Sequence, residues 1–102
     1  MYVELLLDNL DIVLSQYDKT LVMYGTDWCG SCDSLKPKFK KLSKENEGIA
    51  FVYVDADKFK FSKTLAKVES FPTIAAFKFD KIIGQDDGND IDDVKSLLGK
   101  LK

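Results

Sequence analysis

The chain has 102 residues, of which 45% are apolar, 12% aromatic and 31% charged, a composition that predicts one globular domain over residues 1–102 and excludes a second. Its net charge is −2, with 15 basic and 17 acidic side chains and no basic cluster, so nucleic acid is not an expected partner. All the basic side chains are Lys and there is no His, which excludes Arg clamps, His general bases and metal sites built on His.

The first residues predict a strand followed by a helix. Apolar residues alternate along residues 2–7, as in a short strand, and Asp8 is the expected N-cap of the helix. The apolar face of that helix comprises Leu10, Val13, Leu14 and Tyr17. No basic stretch precedes the apolar run, and Asp8 and Asp11 interrupt it, so neither a signal peptide nor a membrane span is expected. The predicted location is the cytoplasm, with no membrane partner.

The next three elements are a strand, a helix and a strand. Residues 20–25 are mostly apolar and end in Gly25, as expected for a buried strand. A helix follows and ends by Gly48, and Pro37 inside it predicts a kink. Residues 49–54 are apolar without alternation, which is typical of a central strand covered on both faces.

The second half of the chain predicts a helix, a hairpin and a last helix. The third helix is expected over residues 58–68. Its inward-facing residues would be Phe61, Leu65 and Val68. Residues 73–79 and 81–83 predict an antiparallel hairpin, and Asp90 is the expected N-cap of the last helix. The order βαβαβαββα predicts an α/β fold with parallel early strands and helices on both faces.

The chemistry of the chain is concentrated in the segment Trp28-Cys29-Gly30-Ser31-Cys32, between the second strand and the second helix. Ligands of such sheets bind beyond the carboxyl ends of the parallel strands, which is where this segment falls. The helix N-terminus would stabilise a thiolate at Cys29 through its free N–H groups and its dipole. Two cysteines three residues apart predict a dithiol–disulfide couple, in which Cys29 attacks and Cys32 resolves the mixed disulfide.

Taken with its surroundings, this segment resembles the thioredoxin family, and the resemblance covers essentially the full length of the chain. It rests on the cysteine segment at residues 28–32, on Pro37 and on Phe71-Pro72-Thr73. It implies the thioredoxin fold, an α/β fold whose central mixed sheet has five strands in the order 1-3-2-4-5, flanked by four helices. It also implies that Cys29 is the nucleophile, that Cys32 is the resolving thiol and that the peptide bond before Pro72 is cis.

The resemblance further implies a substrate groove beside the cysteines. The groove would be lined by Trp28, Phe71, Pro72, Thr73 and Gly84. Gly30, Ser31, Trp28 and Pro72 would support the active site.

The function implied by the resemblance is that of a thiol–disulfide oxidoreductase, most simply a general cytoplasmic protein-disulfide reductase. It would be a monomer that holds no bound cofactor or metal. Its partners would be disulfide-containing client proteins and a flavin-dependent thioredoxin reductase, through which NADPH is used indirectly.

Two departures from the family pattern bear on this function. Gly30-Ser31 stands where the family usually has Gly-Pro, and Ser31 restores a backbone N–H that can change the redox poise. Met23 and Phe51 stand where relatives have a buried Asp and a Lys that relay a proton from the resolving thiol. Water or another carboxylate would then have to deprotonate Cys32. The carboxylates near enough in sequence are Asp27, Asp55 and Asp57.

Two alternative functions stay open, and these departures motivate the first of them. The first is a thioredoxin-like protein of altered redox poise or narrow clientele, either an isomerase or a dedicated electron donor. The second is a non-redox adaptor, or a dimer that bridges a metal through the two cysteines, although two ligands are half of what a zinc site needs. The acidic run at residues 86–90 lacks the ligand spacing of a calcium loop and is expected to be a solvated loop.

Overall fold

The computed structural model describes residues 1–88 and 90–102, so Asn89 of the acidic run lies outside the described residues. Strands and helices follow one another along these residues in the predicted order. The strands are β1 (Tyr2–Glu4), β2 (Thr20–Gly25), β3 (Ala50–Asp55), β4 (Thr73–Lys78) and β5 (Lys81–Asp86). The helices are α1 (Leu10–Gln16), α2 (Gly30–Glu45), α3 (Lys60–Lys63) and α4 (Ile91–Leu101).

The five strands form one mixed sheet in the order β1-β3-β2-β4-β5, which confirms the order implied by the resemblance. Strand β3 lies between β1 and β2 and is parallel to both, because α1 and α2 carry the chain back across the sheet. Strand β4 is antiparallel to β2, and β5 is antiparallel to β4. The carboxyl end of β2 therefore lies at the middle of the sheet and leads directly to the cysteine segment.

Each face of the sheet is covered by helices, as the near-continuous apolar strands predict. One face packs against α2 and α4 through Leu21, Met23, Phe51, Tyr53, Ile74 and Ala76. The other face packs against α1 and the α3 region through Val22, Tyr24, Val52, Val54, Ala75 and Phe77. Both cysteines belong to the first of these two clusters. Among the described residues, no helix has the length and apolar character to cross a membrane.

The third helix differs most from the sequence prediction. It has one turn, Lys60–Lys63, instead of the predicted residues 58–68, and Phe61 is 49% exposed instead of facing inward. Leu65 and Val68 do pack against the core, but from the irregular chain that follows the helix. The prediction was wrong because those apolar side chains reach the core by a change of chain direction, not along one helix face.

The predicted N-cap of α1 was also wrong. Asn9 occupies that position, and the Asp8 carboxylate instead accepts hydrogen bonds from the backbone N–H groups of Phe61, at 3.0 Å, and Ser62, at 2.7 Å. In return, the Ser62 hydroxyl accepts a hydrogen bond from the N–H of Leu10 at 3.1 Å. Asp8 thus caps α3, and Ser62 satisfies a free N–H of α1.

Asp8→Ala is expected to lower the midpoint of thermal unfolding by a few degrees at neutral pH, because two N–H groups of α3 lose their acceptor. Desolvation raises the pKa of Asp8, but the hydrogen bonds from Ser62 and Phe61 outweigh it and lower the pKa overall. The contribution of the Asp8 carboxylate to the free energy of unfolding is therefore complete above its ordinary pKa. It is lost as the pH falls through the lowered pKa of the folded state.

Thermal unfolding of the two proteins between about pH 2.5 and pH 7 would check this expectation. The difference between wild type and Asp8→Ala should shrink below about pH 4. Asp11→Ala, which removes an exposed carboxylate from α1, is the matched control and should change the midpoint little. A constant difference at every pH would contradict the role of the ionised carboxylate.

Candidate functional site

The cysteine segment is positioned by the end of β2 and the start of α2. Strand β2 ends at Gly25, and Cys29 is the N-cap of α2, in an extended backbone conformation. The sulfur of Cys29 accepts a hydrogen bond from the backbone N–H of Cys32 at 3.1 Å. The nucleophilic sulfur therefore lies at a helix N-terminus, as predicted, where a free N–H and the helix dipole favour its thiolate.

Cys29 and Cys32 are joined by a disulfide, with their Cα atoms 5.2 Å apart. Cys29 is 7% exposed and Cys32 is 1% exposed. Cys29 is thus the sulfur nearer the surface, and Cys32 lies beneath it against the core. This arrangement suits an attacking and a resolving sulfur, because a client can approach only the outer one.

Ser31 brings a hydroxyl group to the nucleophile. Its oxygen lies 3.4 Å from the sulfur of Cys29. This side-chain contact was not predicted, because the prediction for Ser31 concerned only its backbone N–H, although the spacing from Cys29 places both residues at one helix start. A hydroxyl at this distance can donate a weak hydrogen bond to a thiolate, which adds to the stabilisation by the helix end.

Trp28 and Phe71 form an exposed aromatic surface beside the cysteines. Trp28 is 70% exposed, and its ring meets that of Phe71 edge-on, with centroids 5.7 Å apart. The indole N–H donates a hydrogen bond to the Asp57 carboxylate at 2.7 Å, which orients the ring. The structure therefore brings together two of the predicted groove residues, and an apolar surface of this kind can contact an extended client chain.

Pro72 and Thr73 lie where β4 begins. The Phe71–Pro72 peptide bond is cis, as the resemblance implies. Pro72 is buried, and Thr73 is paired with Tyr24 of β2, so this segment lies next to the strand that leads to Cys29. The Thr73 hydroxyl donates a hydrogen bond to the carbonyl of Ser70 at 2.7 Å, which orders the chain before the strand.

Gly84 lies in β5 beneath α4. A Cβ at Gly84 would approach Leu97 at 3.1 Å and Lys100 at 3.3 Å, so the glycine permits close packing of the helix. Gly88 is the glycine that packs beside α2, because a Cβ there would lie 2.7 Å from Ile74 and 3.5 Å from Leu35. Gly88 was not among the predicted site residues. Its φ of 67° explains why glycine stands there, but that angle is not visible in the sequence.

The two positions at which a proton relay is missing are apolar and fully buried in the structure. Met23 and Phe51 lie in the same cluster as Cys32 and have no exposed surface. Neither side chain can accept or donate a proton, so the relay of other family members has no counterpart at these two positions.

The three carboxylates proposed instead have different surroundings. Asp57 is bound to the Trp28 indole. Asp55 accepts hydrogen bonds from the backbone N–H groups of Asp57, at 3.0 Å, and Lys58, at 3.2 Å. Asp27 and Asp55 line a cavity of about 340 Å³ near the end of β2, and Asp57 does not line it.

Within residues 1–88 and 90–102, one further group of acidic side chains has the spacing of a metal site. It consists of Asp86, Asp87 and Asp93, with carboxylate oxygens within 4.8 Å of one another. The Asp86 charge is the main reason that the pKa of Asp93 is raised. Mutual repulsion of this kind is common on acidic surfaces, so the cluster gives no reason to assign a metal.

Comparison with known proteins gives a consistent result. The family model described as Thioredoxin matches residues 3–100. Mitochondrial thioredoxin-2 of Schizosaccharomyces pombe is 37% identical over 83 residues, which cover 81% of this chain and 62% of that protein. Rice protein disulfide isomerase-like 2-3 is 38% identical over 81 residues, which cover 78% of this chain and 18% of that protein. The chain thus spans less than two thirds of the length of these curated relatives.

In the comparison with solved structures, almost the whole of both chains is aligned. The reduced thioredoxin pre-protein of Schistosoma mansoni superposes with a TM-score of 0.90 at 31% identity, over 99% of this chain and 98% of that one. The same fold therefore extends over the described sheet, the cysteine segment and the helices on both faces.

Proposed function

Because the chain belongs to the thioredoxin family, we propose that it is a thiol–disulfide oxidoreductase that acts as a general protein-disulfide reductase of the cytoplasm. The observation that carries the proposal is the disulfide between Cys29 and Cys32, with Cys29 at a helix N-terminus. The exposed rings of Trp28 and Phe71 beside it offer a surface for clients. No residue of this site requires a bound cofactor for thiol–disulfide exchange, because the two sulfurs carry the electrons.

The reaction proceeds in two exchange steps. The Cys29 thiolate attacks one sulfur of a client disulfide, which forms a mixed disulfide and releases the other client sulfur as a thiolate. Cys32 then loses its proton and attacks the Cys29 sulfur, which breaks the mixed disulfide and releases the second client thiolate. The client gains two electrons and two protons, and Cys29 and Cys32 become a disulfide.

Return to the dithiol form requires an electron donor. We infer that a flavin-dependent thioredoxin reductase supplies the electrons and that it draws them from NADPH. The protein would work as a monomer in this cycle, since Trp28 and Phe71 must be free to meet in turn a client and the reductase.

A second candidate function is an isomerase or dedicated electron donor of altered redox poise. It is favoured by the Ser31 hydroxyl at 3.4 Å from the Cys29 sulfur, which would stabilise the reduced thiolate. The similarity to a rice protein disulfide isomerase-like protein supports the same alternative. The similarity to a mitochondrial thioredoxin likewise makes the mitochondrion the main alternative to the cytoplasm.

The equilibrium reduction potential of the Cys29–Cys32 pair separates the two functions. For a general reductase we expect a potential of about −270 mV. It is measured by thiol alkylation after equilibration in glutathione or dithiothreitol buffers. Fluorescence of Trp28, the only Trp and adjacent to the disulfide, gives a second readout. A potential of about −180 mV would instead favour the isomerase or dedicated donor.

A further inference from the structure

The resolving step requires a proton to leave a buried thiol. Cys32 is 1% exposed, and a thiolate formed there without a hydrogen-bond donor would be costly. Met23 and Phe51, which belong to the same core cluster as Cys32, offer no polar group. An inference about what stabilises this thiolate rests on the proposed exchange reaction. It holds for a reductase and for an isomerase alike, since both use the resolving step.

The hydroxyl group of Tyr53 lies close to the sulfur of Cys32, and Gly25 makes this possible. A Cβ built at Gly25 would lie 2.7 Å from the Tyr53 hydroxyl oxygen and 3.2 Å from the Cys32 sulfur. The oxygen and the sulfur are therefore no further apart than the sum of these two distances. Both atoms border the same small space, so a single water can bridge them, and a direct hydrogen bond forms where the ring of Tyr53 or the start of α2 moves to close the gap. Any side chain at position 25 would occupy the space between them.

The ring of Tyr53 is held in place from the sheet and from α2. Tyr53 lies in β3 beside its cross-strand partner Met23, and it is 8% exposed. The ammonium group of Lys36 lies 4.1 Å from the centre of the ring, and Lys36 is itself paired with Glu4 at 3.3 Å. These contacts hold the ring so that its hydroxyl stays beside the space that it shares with the Cys32 sulfur.

Tyr53 also connects the buried sulfur to a polar cavity. It is part of the lining of the cavity of about 340 Å³ near the end of β2. The charged groups that line this cavity are Glu4, Asp27, Lys36, Asp55 and Lys58. A proton that leaves Cys32 near the Tyr53 hydroxyl is therefore next to a space that water and carboxylates can reach.

We propose that the Tyr53 hydroxyl donates a hydrogen bond to the Cys32 sulfur and stabilises its thiolate during the resolving step. The Cys32 proton leaves to the cavity, and the sulfur then attacks Cys29. The bond between Cys29 and the client sulfur breaks, and the client leaves as a thiolate that is protonated by solvent. Tyr53 keeps its own proton throughout. Electrons pass only between the two cysteines and the client disulfide, so no other oxidant or reductant is needed.

The charges around Tyr53 favour its role as a donor. Burial is the main cause, and together with the charges of Asp55, Asp27, Glu4 and Asp33 it raises the pKa of Tyr53 to about 12. The phenol therefore remains protonated through the neutral range. Lys36 is the cation that faces the ring from α2, and Lys58 lines the cavity from the residues after β3.

The first experiment titrates Cys32 directly. In the Cys29→Ser variant Cys32 is the only thiol, and the chemical shift of its ¹³C-labelled β-carbon reports ionisation without interference from tyrosine. Adding Tyr53→Phe, which removes only the hydroxyl, is expected to move the titration midpoint up by about one pH unit. Tyr24→Phe is the matched control, because it removes a buried hydroxyl that bonds to the Ser62 carbonyl on the opposite face of the sheet.

The second experiment separates the two exchange steps. Reduced protein is mixed with excess 5,5′-dithiobis(2-nitrobenzoate), and two thionitrobenzoate ions are released in succession. The first release reports attack by Cys29, and the second reports attack by Cys32 on the mixed disulfide. Tyr53→Phe is expected to slow the second release roughly three- to tenfold at neutral pH and to leave the first within about twofold. The difference between wild type and Tyr53→Phe in the rate of the second release should narrow at higher pH.

Three results would overturn the proposal. They are an unchanged titration midpoint in Tyr53→Phe, an equal slowing of both releases, and an equal effect of Tyr24→Phe. Failure of the proposed function would look different. The wild-type protein would then show no second release and no turnover of disulfide substrates, while the titration of Cys32 would still report whether Tyr53 bonds to its sulfur.

Discussion

Cys29→Ser is expected to reduce disulfide-exchange turnover to the level of the uncatalysed reaction. Serine has the shape of cysteine, but its hydroxyl does not ionise in the neutral range, so the first exchange step is lost. The measurement is the rate at which dithiothreitol reduces a disulfide-bonded protein such as insulin, with and without the variant. Turnover near the wild-type rate would contradict the assignment of Cys29 as the nucleophile.

Cys32→Ser is the matched variant and should fail in a different way. Cys29 still attacks, but no second sulfur displaces it, so mixed disulfides with client proteins accumulate. They would appear on non-reducing gels as adducts of higher mass that dithiothreitol removes. Adducts with Cys29→Ser instead of Cys32→Ser would reverse the roles of the two cysteines.

Gly88→Ala is expected to lower the free energy of unfolding by about 2–4 kcal/mol. Gly88 has a φ of 67°, which is unfavourable for alanine, and its Cβ would lie 2.7 Å from the fully buried Ile74. The Cβ would also meet Leu35 of α2 at 3.5 Å, so the strain falls close to the helix that carries the cysteines. Urea unfolding followed by the fluorescence of Trp28 would measure the loss.

Gly99→Ala is the control for this prediction. Gly99 lies within α4, and a Cβ there would have no atom within 4 Å. Alanine at that position should therefore raise the free energy of unfolding by about 0.5–1 kcal/mol, because it is a better helix former than glycine. Equal effects of the two substitutions would show that neither the backbone angle nor the contact with Ile74 matters.

The relation between Gly25 and Tyr53 explains how the core can do without the buried Asp and Lys of other family members. Met23 and Phe51 add apolar side chains to the cluster that contains Cys32, and the hydroxyl of Tyr53 borders, beside Gly25, the same space as the Cys32 sulfur. Tyr53 belongs to β3, and it lines a cavity that carboxylates also line. The apolar core and the polar access to Cys32 are thus supplied by different strands.

Local patterns determined much of this protein. Strand β2 was predicted with the observed bounds, Thr20–Gly25, and Asp90 was predicted correctly as the N-cap of α4. The position of Cys29 at a helix N-terminus also followed from the sequence. These features depend on residues a few positions apart, such as apolar runs, a capping side chain and two spaced cysteines, so they can be read along the chain.

Contacts between distant residues were decided only by the tertiary structure. Asp8 caps α3, more than fifty residues away in sequence, and not the helix that follows it. Phe61 is exposed because the chain turns after one helical turn, and Gly25 brings Tyr53 to Cys32 only because β2 and β3 are neighbours. A side chain's partner across the sheet depends on strand register and on the path of the whole chain, and no local pattern encodes either.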